Sequence, residues 1–348
     1  MNLECSDAIV RYILLPLPPQ RRELRFDDLS DEYAQTNLRF QRVNLLKSAA
    51  EALEIPNVWR YSEDGHVMNG EMGMIIFLKW LSHHERLTDL QNHFDVEYSQ
   101  ISRLVTYVYH WLDDRWRHVI EENMDFFVPR FQLYNDRFCA KYEEVHGHVP
   151  HPRWEDVAGV IDGTKHRSTA NFEANYNGHK KYTCLAYMVV TAMDGMIMNL
   201  YGPMSGRRND MALQNHSQIN AQMQNAQIGH PTEYTLASDK GFYNETHMKP
   251  MMTEPLTPEQ EQANHEFSSM RVAVEWDIGR VESTFTRVSH WHQMKLRNMA
   301  LGKLYRAAVI LLNVKTCLEG NSTSLYFGCP VPSLAEYLVD PDDDAMEE

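Results

Sequence analysis

Apolar residues recur at three- and four-residue spacings from about residue 45 to residue 120. Met72, Ile75, Ile76, Leu78 and Leu81 fall at such spacings, and no Pro or Gly interrupts the run from Met74 to His110. That period predicts several consecutive helices. Within them, residues 87–94, a turn at 95–98 and residues 99–112 outline a helix, a tight turn and a second helix, with the Ser99 hydroxyl placed to cap the second. Beyond Pro150 and Pro152 the texture changes. Residues 157–161 read as a buried strand and 182–193 as a longer one. Asp194-Gly195 then predicts a two-residue turn with positive φ, pairing 182–193 antiparallel with 196–201. A helix over about 209–223, a short strand at 234–238, and helices after Pro258 and over 270–288 follow.

The order strand, strand, strand, helix, strand, helix is that of an RNase H-like fold, a mixed α/β (α+β) domain, here preceded by an all-α domain containing the helix-turn-helix outline. The expected organisation is an arm at 1–45, the helical domain at 46–122, the RNase H-like domain at 123–339 and a tail at 340–348. The arm holds a Pro-rich stretch at 15–19 and mixed charge at 21–32. The tail packs Asp340, Asp342, Asp343, Asp344, Glu347 and Glu348 together, a density of like charge that predicts disorder.

Composition narrows the function. Across 348 residues, 33 Lys plus Arg stand against 48 Asp plus Glu, a formal charge of -15. This excludes a uniformly basic surface that wraps nucleic acid, so any DNA contact comes from local patches or a partner. No apolar run of about 18 residues and no leader pattern occurs, which predicts neither a membrane span nor secretion. The five cysteines are scattered, without a CxxC pair, which predicts reduced thiols and a nuclear or cytosolic compartment.

Four acids fall where this element order exposes a strand end or a helix start: Asp162 after the first strand, Asp239 after the fourth, Asp210 opening a helix, and Glu275 within a helix of apolar neighbours. Converging carboxylates suit Mg²⁺ or Mn²⁺, and two such ions stabilise both the attacking and the leaving oxygen of a phosphoryl displacement. Taken singly, an Asp beside a Gly is equally an ordinary turn residue, and an Asp opening a helix an ordinary cap.

The ordered blocks resemble the PIF/Harbinger transposases, a DDE superfamily with an RNase H-like catalytic domain. Gly159-Val160-Ile161-Asp162-Gly163-Thr164 is similar to that family's first-Asp block, and Gly206-Arg207-Arg208-Asn209-Asp210 to its Gly-x-x-x-Asp block. Ala237-Ser238-Asp239-Lys240-Gly241-Phe242-Tyr243 is similar to its Asp-x-x-Tyr region. Arg271-Val272-Ala273-Val274-Glu275-Trp276-Asp277-Ile278-Gly279 is similar to its final-Glu helix, and Leu311-Leu312-Asn313 to its closing helix. The resemblance implies an endonuclease and transposase that cuts DNA phosphodiesters with two divalent ions, with Asp162 and Glu275 as first and last ligands. Asp239, with 35 residues between it and Glu275, and Asp210, with 47 between it and Asp162, both remain candidates for the middle acid. It further implies terminal inverted repeats as substrate, a Myb-like DNA-binding partner, a homodimer and a nuclear site of action, cytoplasmic without the partner. Arg207-Arg208 stands where small residues are common, and Asp277 and Glu282 add acid near the last block.

For DNA contact, Lys165, Arg167, Lys180, Lys181, Arg207, Arg208 and Lys240 offer local positive charge, and Ser99, Gln100 and Arg103 lie on the second helix of the helix-turn-helix outline. The alternative for the basic groups is a solvated face, and for the helices a structural bundle, since residues 85–122 hold eight acids against four Arg. His290 and His292 are two apart and on a helix would point apart. No phosphate-binding Gly-rich loop, nucleophile elbow or His-Glu-x-x-His occurs. The competing function is that of a domesticated, catalytically inactive chromatin- or DNA-associated interaction protein.

Overall fold

The computed structural model describes residues 23–121, 123–169, 175–290, 292 and 299–339, apart from the side chains of 273 and 274. The Pro-rich stretch, Cys5 and the acidic tail lie outside them. The chain divides into two compact units, Met1–Val108 and Tyr109–Glu348.

In the first unit, α1 (Val43–Ala52), α2 (Gly70–Ser82), α3 (Leu87–Phe94) and the start of α4 (Tyr98–Trp116) accompany a two-stranded ribbon of β1 (Val58–Arg60) and β2 (Val67–Asn69). The expected all-α domain is therefore corrected. Trp59 alternates inward from β1, fully buried, and its indole N–H donates to the Gly70 carbonyl at 2.8 Å, so the ribbon is welded to α2 by one aromatic side chain. Asn69 caps α2 by accepting the Glu71 and Met72 N–H groups. Two helices and a tight turn are present at α3 and α4, with Asp95 in the left-handed region at φ 54°. Ser99 is not the cap, however. The second helix begins at Tyr98, the Gln100 and Ile101 N–H groups donate to the Glu97 carbonyl, and the Ser99 hydroxyl donates to the Glu97 side chain. Arg103 faces out and pairs with Asp64 at 3.4 Å.

The second unit is a mixed α/β assembly around a curled mixed sheet, consistent with an RNase H-like domain. Its strands are β3 (Val157–Arg167), β4 (Tyr176–Asn177), β5 (Tyr182–Ala192), β6 (Ile197–Ser205), β7 (Thr235–Ser238) and β8 (Met248–Pro250). The sheet runs β6, β5, β3, β7, β8; β5 is antiparallel to both neighbours, and β7 and β8 are parallel to β3. The helices are α5 (Phe131–His146), α6 (Asp210–Ser217), α7 (Ile219–Ala226), α8 (Pro258–Thr284), α9 (Leu301–Glu319) and α10 (Ser322–Phe327). No helix among the described residues is long and apolar enough to cross a membrane.

Several boundaries differ from the sequence expectation, each for a physical reason. β3 runs on to Arg167 because β5 pairs with it from Gly159 through Arg167, so Asp162 and Lys165 lie within a strand. Four residues, 193–196, join β5 to β6 rather than two, with the Ala192 N–H donating to the Met196 carbonyl and only Gly195 at positive φ, 76°. The turn is also buried. The Asp194 carboxylate accepts from the Tyr134 hydroxyl at 2.7 Å and the Met196 N–H at 3.0 Å, which satisfies a group that could not otherwise leave water. The helix expected over 209–223 breaks at Gln218, φ 54°, into α6 and α7. The two helices expected after Pro258 are one, since nothing in the sequence between them stops the backbone ladder, and a 3-10 turn follows at Thr286–Ser289. His290 and His292 follow that turn rather than riding a helix; their rings are 5.9 Å apart.

Two anchors place α8 across the sheet. Trp154, just before β3, stacks on Phe267 at 4.3 Å and donates to the Ala263 carbonyl, and the Tyr142 hydroxyl of α5 donates to Glu266. Asn313 of α9 binds both the N–H and the C=O of Ile197 at 3.0 and 2.9 Å. That side chain pairs the backbone edge of β6 as another strand would. Its place in the last block of the sequence is therefore structural.

Candidate active site

Asp162 sits at the point of β3 where pairing with β7 stops, while pairing with β5 continues. The parallel neighbour ends at Ser238, and Asp239 is the next residue, so Asp162, midway along β3, and Asp239, just past β7, emerge side by side where the parallel pairing stops. The Gly163 N–H donates to Asp162 Oδ1 at 2.8 Å, and the Gly241 N–H to Asp239 Oδ1 at 2.8 Å. The loop carrying Asp239 is held by Gln214 of α6, which accepts from the Tyr243 N–H at 2.7 Å and donates to the Tyr243 carbonyl at 3.1 Å.

Asp210 is the first residue of α6, after Asn209, whose side chain accepts the Ala212 N–H. The cap is thus Asn209, and the Asp210 carboxylate is left to point elsewhere. It lies against two glycines. A Cβ on Gly163 would stand 2.2 Å from Asp210 Oδ1, and one on Gly241 would stand 3.0 Å from both Asp210 Oδ2 and Asp239 Oδ1. A side chain at Gly163 would displace the Asp210 carboxylate, and one at Gly241 would crowd Asp210 and Asp239.

Asp162 and His166 share one face of β3; Glu275 and Glu282, seven apart, share one face of α8. The faces meet. Arg271 Nη1 is 3.3 Å from Asp162 Oδ2 and its Nη2 is 2.6 Å from Glu275 Oε1, while His166 Nδ1 is 3.0 Å from Glu282 Oε1. That histidine holds the Glu282 carboxyl below its ordinary range.

Electrostatics links the four acids. Burial pushes the Asp162 carboxyl up to about 6; Arg271 and the Gly163 N–H oppose this, and Asp239 and Glu275 reinforce it. Burial also raises Asp210, with Asp239 adding and Lys165 opposing. All four predicted acids are therefore brought together, and Lys165 with them. The other predicted cations are more peripheral: Arg167 lies over the Tyr182 ring at 5.3 Å, and Lys180, Lys181, Arg207, Arg208 and Lys240 are exposed.

The donor set is hard oxygen throughout, which suits Mg²⁺ or Mn²⁺ and not a thiolate-seeking metal. Among the described residues no three of His, Cys, Asp or Glu are drawn close enough to chelate an ion; a guanidinium stands between two of the four instead. In donor chemistry the residues fit a divalent ion.

Residues 161–313 match the family model for DDE superfamily endonuclease. The DDE endonuclease match opens one residue before Asp162, closes on Asn313 and spans all four acids. It supports a nuclease or transposase-like function acting on DNA. No curated protein and no solved structure matches the chain. Beside this match, Arg271 and Gln214 are the site residues that sequence reading passed over. The only signal for Arg271 was its position four residues before Glu275; Gln214 had none.

Proposed function

We propose that the chain is a metal-dependent DNA endonuclease and transposase of PIF/Harbinger type. The reading is carried by the convergence of Asp162, Asp210, Asp239 and Glu275 where the pairing of β3 with β7 stops, inside the segment that matches DDE endonucleases. Asp162, Asp239 and Glu275 would hold two Mg²⁺ or Mn²⁺ ions, with Asp210 as the fourth acid beside them. The ions, when bound, activate water and neutralise charge on the leaving oxygen of the scissile phosphate. The chain's own part is to hold hard oxygen donors on stiff strand ends and one long helix. Exposed Lys180, Lys181, Arg207, Arg208 and Lys240, with Lys165 and Arg167, would meet DNA backbone locally. The resemblance to PIF/Harbinger transposases further implies a Myb-like partner that recognises terminal repeats, a homodimer that acts on two ends and a nuclear site of action; the charge of -15 agrees with reliance on a partner.

The test is the thermal midpoint with and without millimolar Mn²⁺, since an ion that binds only the folded state raises it by mass action, followed by nicking of supercoiled DNA. A rise that Asp162→Asn and Glu275→Gln both abolish, with nicking lost in both, supports the reading. No rise, with retained binding to DNA or a partner, favours a domesticated interaction protein instead.

Asp210 is tested without touching its carboxylate. Gly163→Ala pushes a Cβ against Asp210 Oδ1, the movable end of a side chain. The fold should persist while Mn²⁺ affinity, measured by calorimetry, weakens roughly 10-fold, the size of effect that displaced supporting groups have at metal sites. Unchanged affinity would remove Asp210 from the ligand set.

A further inference from the structure

Between Asp162 and Glu275 stands a single guanidinium. Arg271 contacts one carboxylate through each terminal nitrogen, at 3.3 and 2.6 Å, and only a fifth of its side chain is exposed. Its Nε is buried and has no hydrogen-bond partner among the described residues. A buried donor left unpaired is a cost, so the arginine is not seated there to satisfy its own hydrogen bonds. What holds it is the field of the acids: Asp239 and Glu275 both raise the proton affinity of Asp162, and Arg271 is the charge that most opposes this.

We propose that Arg271 is a positioning residue that stands in for a divalent cation. It holds Asp162 and Glu275 about a common point before an ion arrives, and it must leave them for an ion to bind both. This rests on reading those acids as metal ligands. Arg271 accounts for the absence of a closed chelating set among the described residues, because a guanidinium keeps carboxylates farther from the shared centre than the roughly 2.0–2.1 Å bonds of Mg²⁺. It also keeps four acids from repelling one another open while the site waits. The same contact makes the arginine a competitor of the ion.

Mn²⁺ titration by calorimetry and metal-free thermal melts on wild type, Arg271→Met and Arg271→Lys test this. Methionine keeps the length and apolar packing of the stem without the charge. Arg271→Met should bind Mn²⁺ at least about 10-fold more tightly than wild type, a typical size for coupled sites, and melt at a lower temperature without metal. Arg271→Lys, which keeps the charge but cannot span both carboxylates, should fall between, and it carries the test if the methionine variant does not fold. Equal or weaker Mn²⁺ binding by both variants, with wild type binding normally, overturns the role of Arg271 and leaves the metal-site reading standing. Absence of binding in all three proteins overturns that reading and this inference with it. Binding in the variants but not in wild type supports the inference in its strongest form.

Discussion

Asp162→Asn is expected to stabilise the metal-free protein above pH 6, to abolish stabilisation by Mn²⁺, and to cut DNA cleavage by at least about 1,000-fold. The Asp162 carboxyl titrates near 6 in the folded chain against an ordinary 3.8. Between those values the folded state holds a proton that the unfolded state has lost, so stability falls as pH rises. The penalty is absent below pH 4 and fully developed above pH 6, where it amounts to roughly 3 kcal/mol. Asparagine cannot ionise, but its single carbonyl oxygen can keep only one of the two contacts, the Gly163 N–H at Oδ1 or Arg271 at Oδ2, which offsets part of the gain. The difference in unfolding free energy between variant and wild type should therefore grow across pH 4 to 6 and then level off. Asp277, fully buried beside Arg280 and pushed up to about 7, adds a slope of the same sign to both proteins and cancels in the difference. With Mn²⁺ the order reverses, because a bound ion keeps the carboxylate ionised and repays its burial. The loss of cleavage corresponds to about 4 kcal/mol of transition-state stabilisation, within what a metal site supplies. Urea unfolding at several pH values, with and without Mn²⁺, checks the crossing; parallel curves would remove Asp162 as a buried, strained carboxylate.

Arg306→Met is expected to be the most destabilising single change in the second unit, at about 3–5 kcal/mol. Asp113, near the end of α4, has no exposed surface. Arg306 of α9 binds it through Nε at 2.5 Å and Nη2 at 3.1 Å, and its Nη1 donates to the Gly202 carbonyl at 3.2 Å. Removing the arginine strands a buried carboxylate and one backbone acceptor, and Lys303, 3.6 Å away, offers only a single point charge in exchange. The midpoint should fall by roughly 6–20 °C, at about 2–4 °C per kcal/mol. Asp113→Leu combined with Arg306→Met should recover more than half of the loss, because replacing a buried pair by apolar groups is often neutral, whereas breaking it is not. A loss below 1 kcal/mol in the single variant would show that the pair is solvated in solution.

The sheet and its acids were largely legible in the chain. The apolar runs of β3 and β5 and the Asp194-Gly195 turn marked the antiparallel start, and Asp162 and Asp239 stood where the runs of β3 and β7 stop. Periodicity reports which face a residue takes, and these strands have one buried solution. Less legible was where elements end. β3 extends past Asp162 because a partner strand pairs with it, α8 continues because nothing between its two expected halves stops the backbone ladder, and Ser99 yields its cap to Glu97 two residues earlier.

By itself, then, the sequence determined the order of β3, β5, β6, a helix, β7 and a helix in the second unit, the candidate carboxylates and an acidic chain with cations confined to patches, because these follow from residue type and local spacing. Only the tertiary structure decided that Asp210 fills the space two glycines leave, that Gln214 holds the Asp239 loop, that Asp113 and Arg306 are buried together, and that Arg271 stands between Asp162 and Glu275. Each of these is a contact between residues far apart in the chain, or a choice between solvent and a neighbour, and neither is written in periodicity. The charge of a residue is local information; what that charge faces is not.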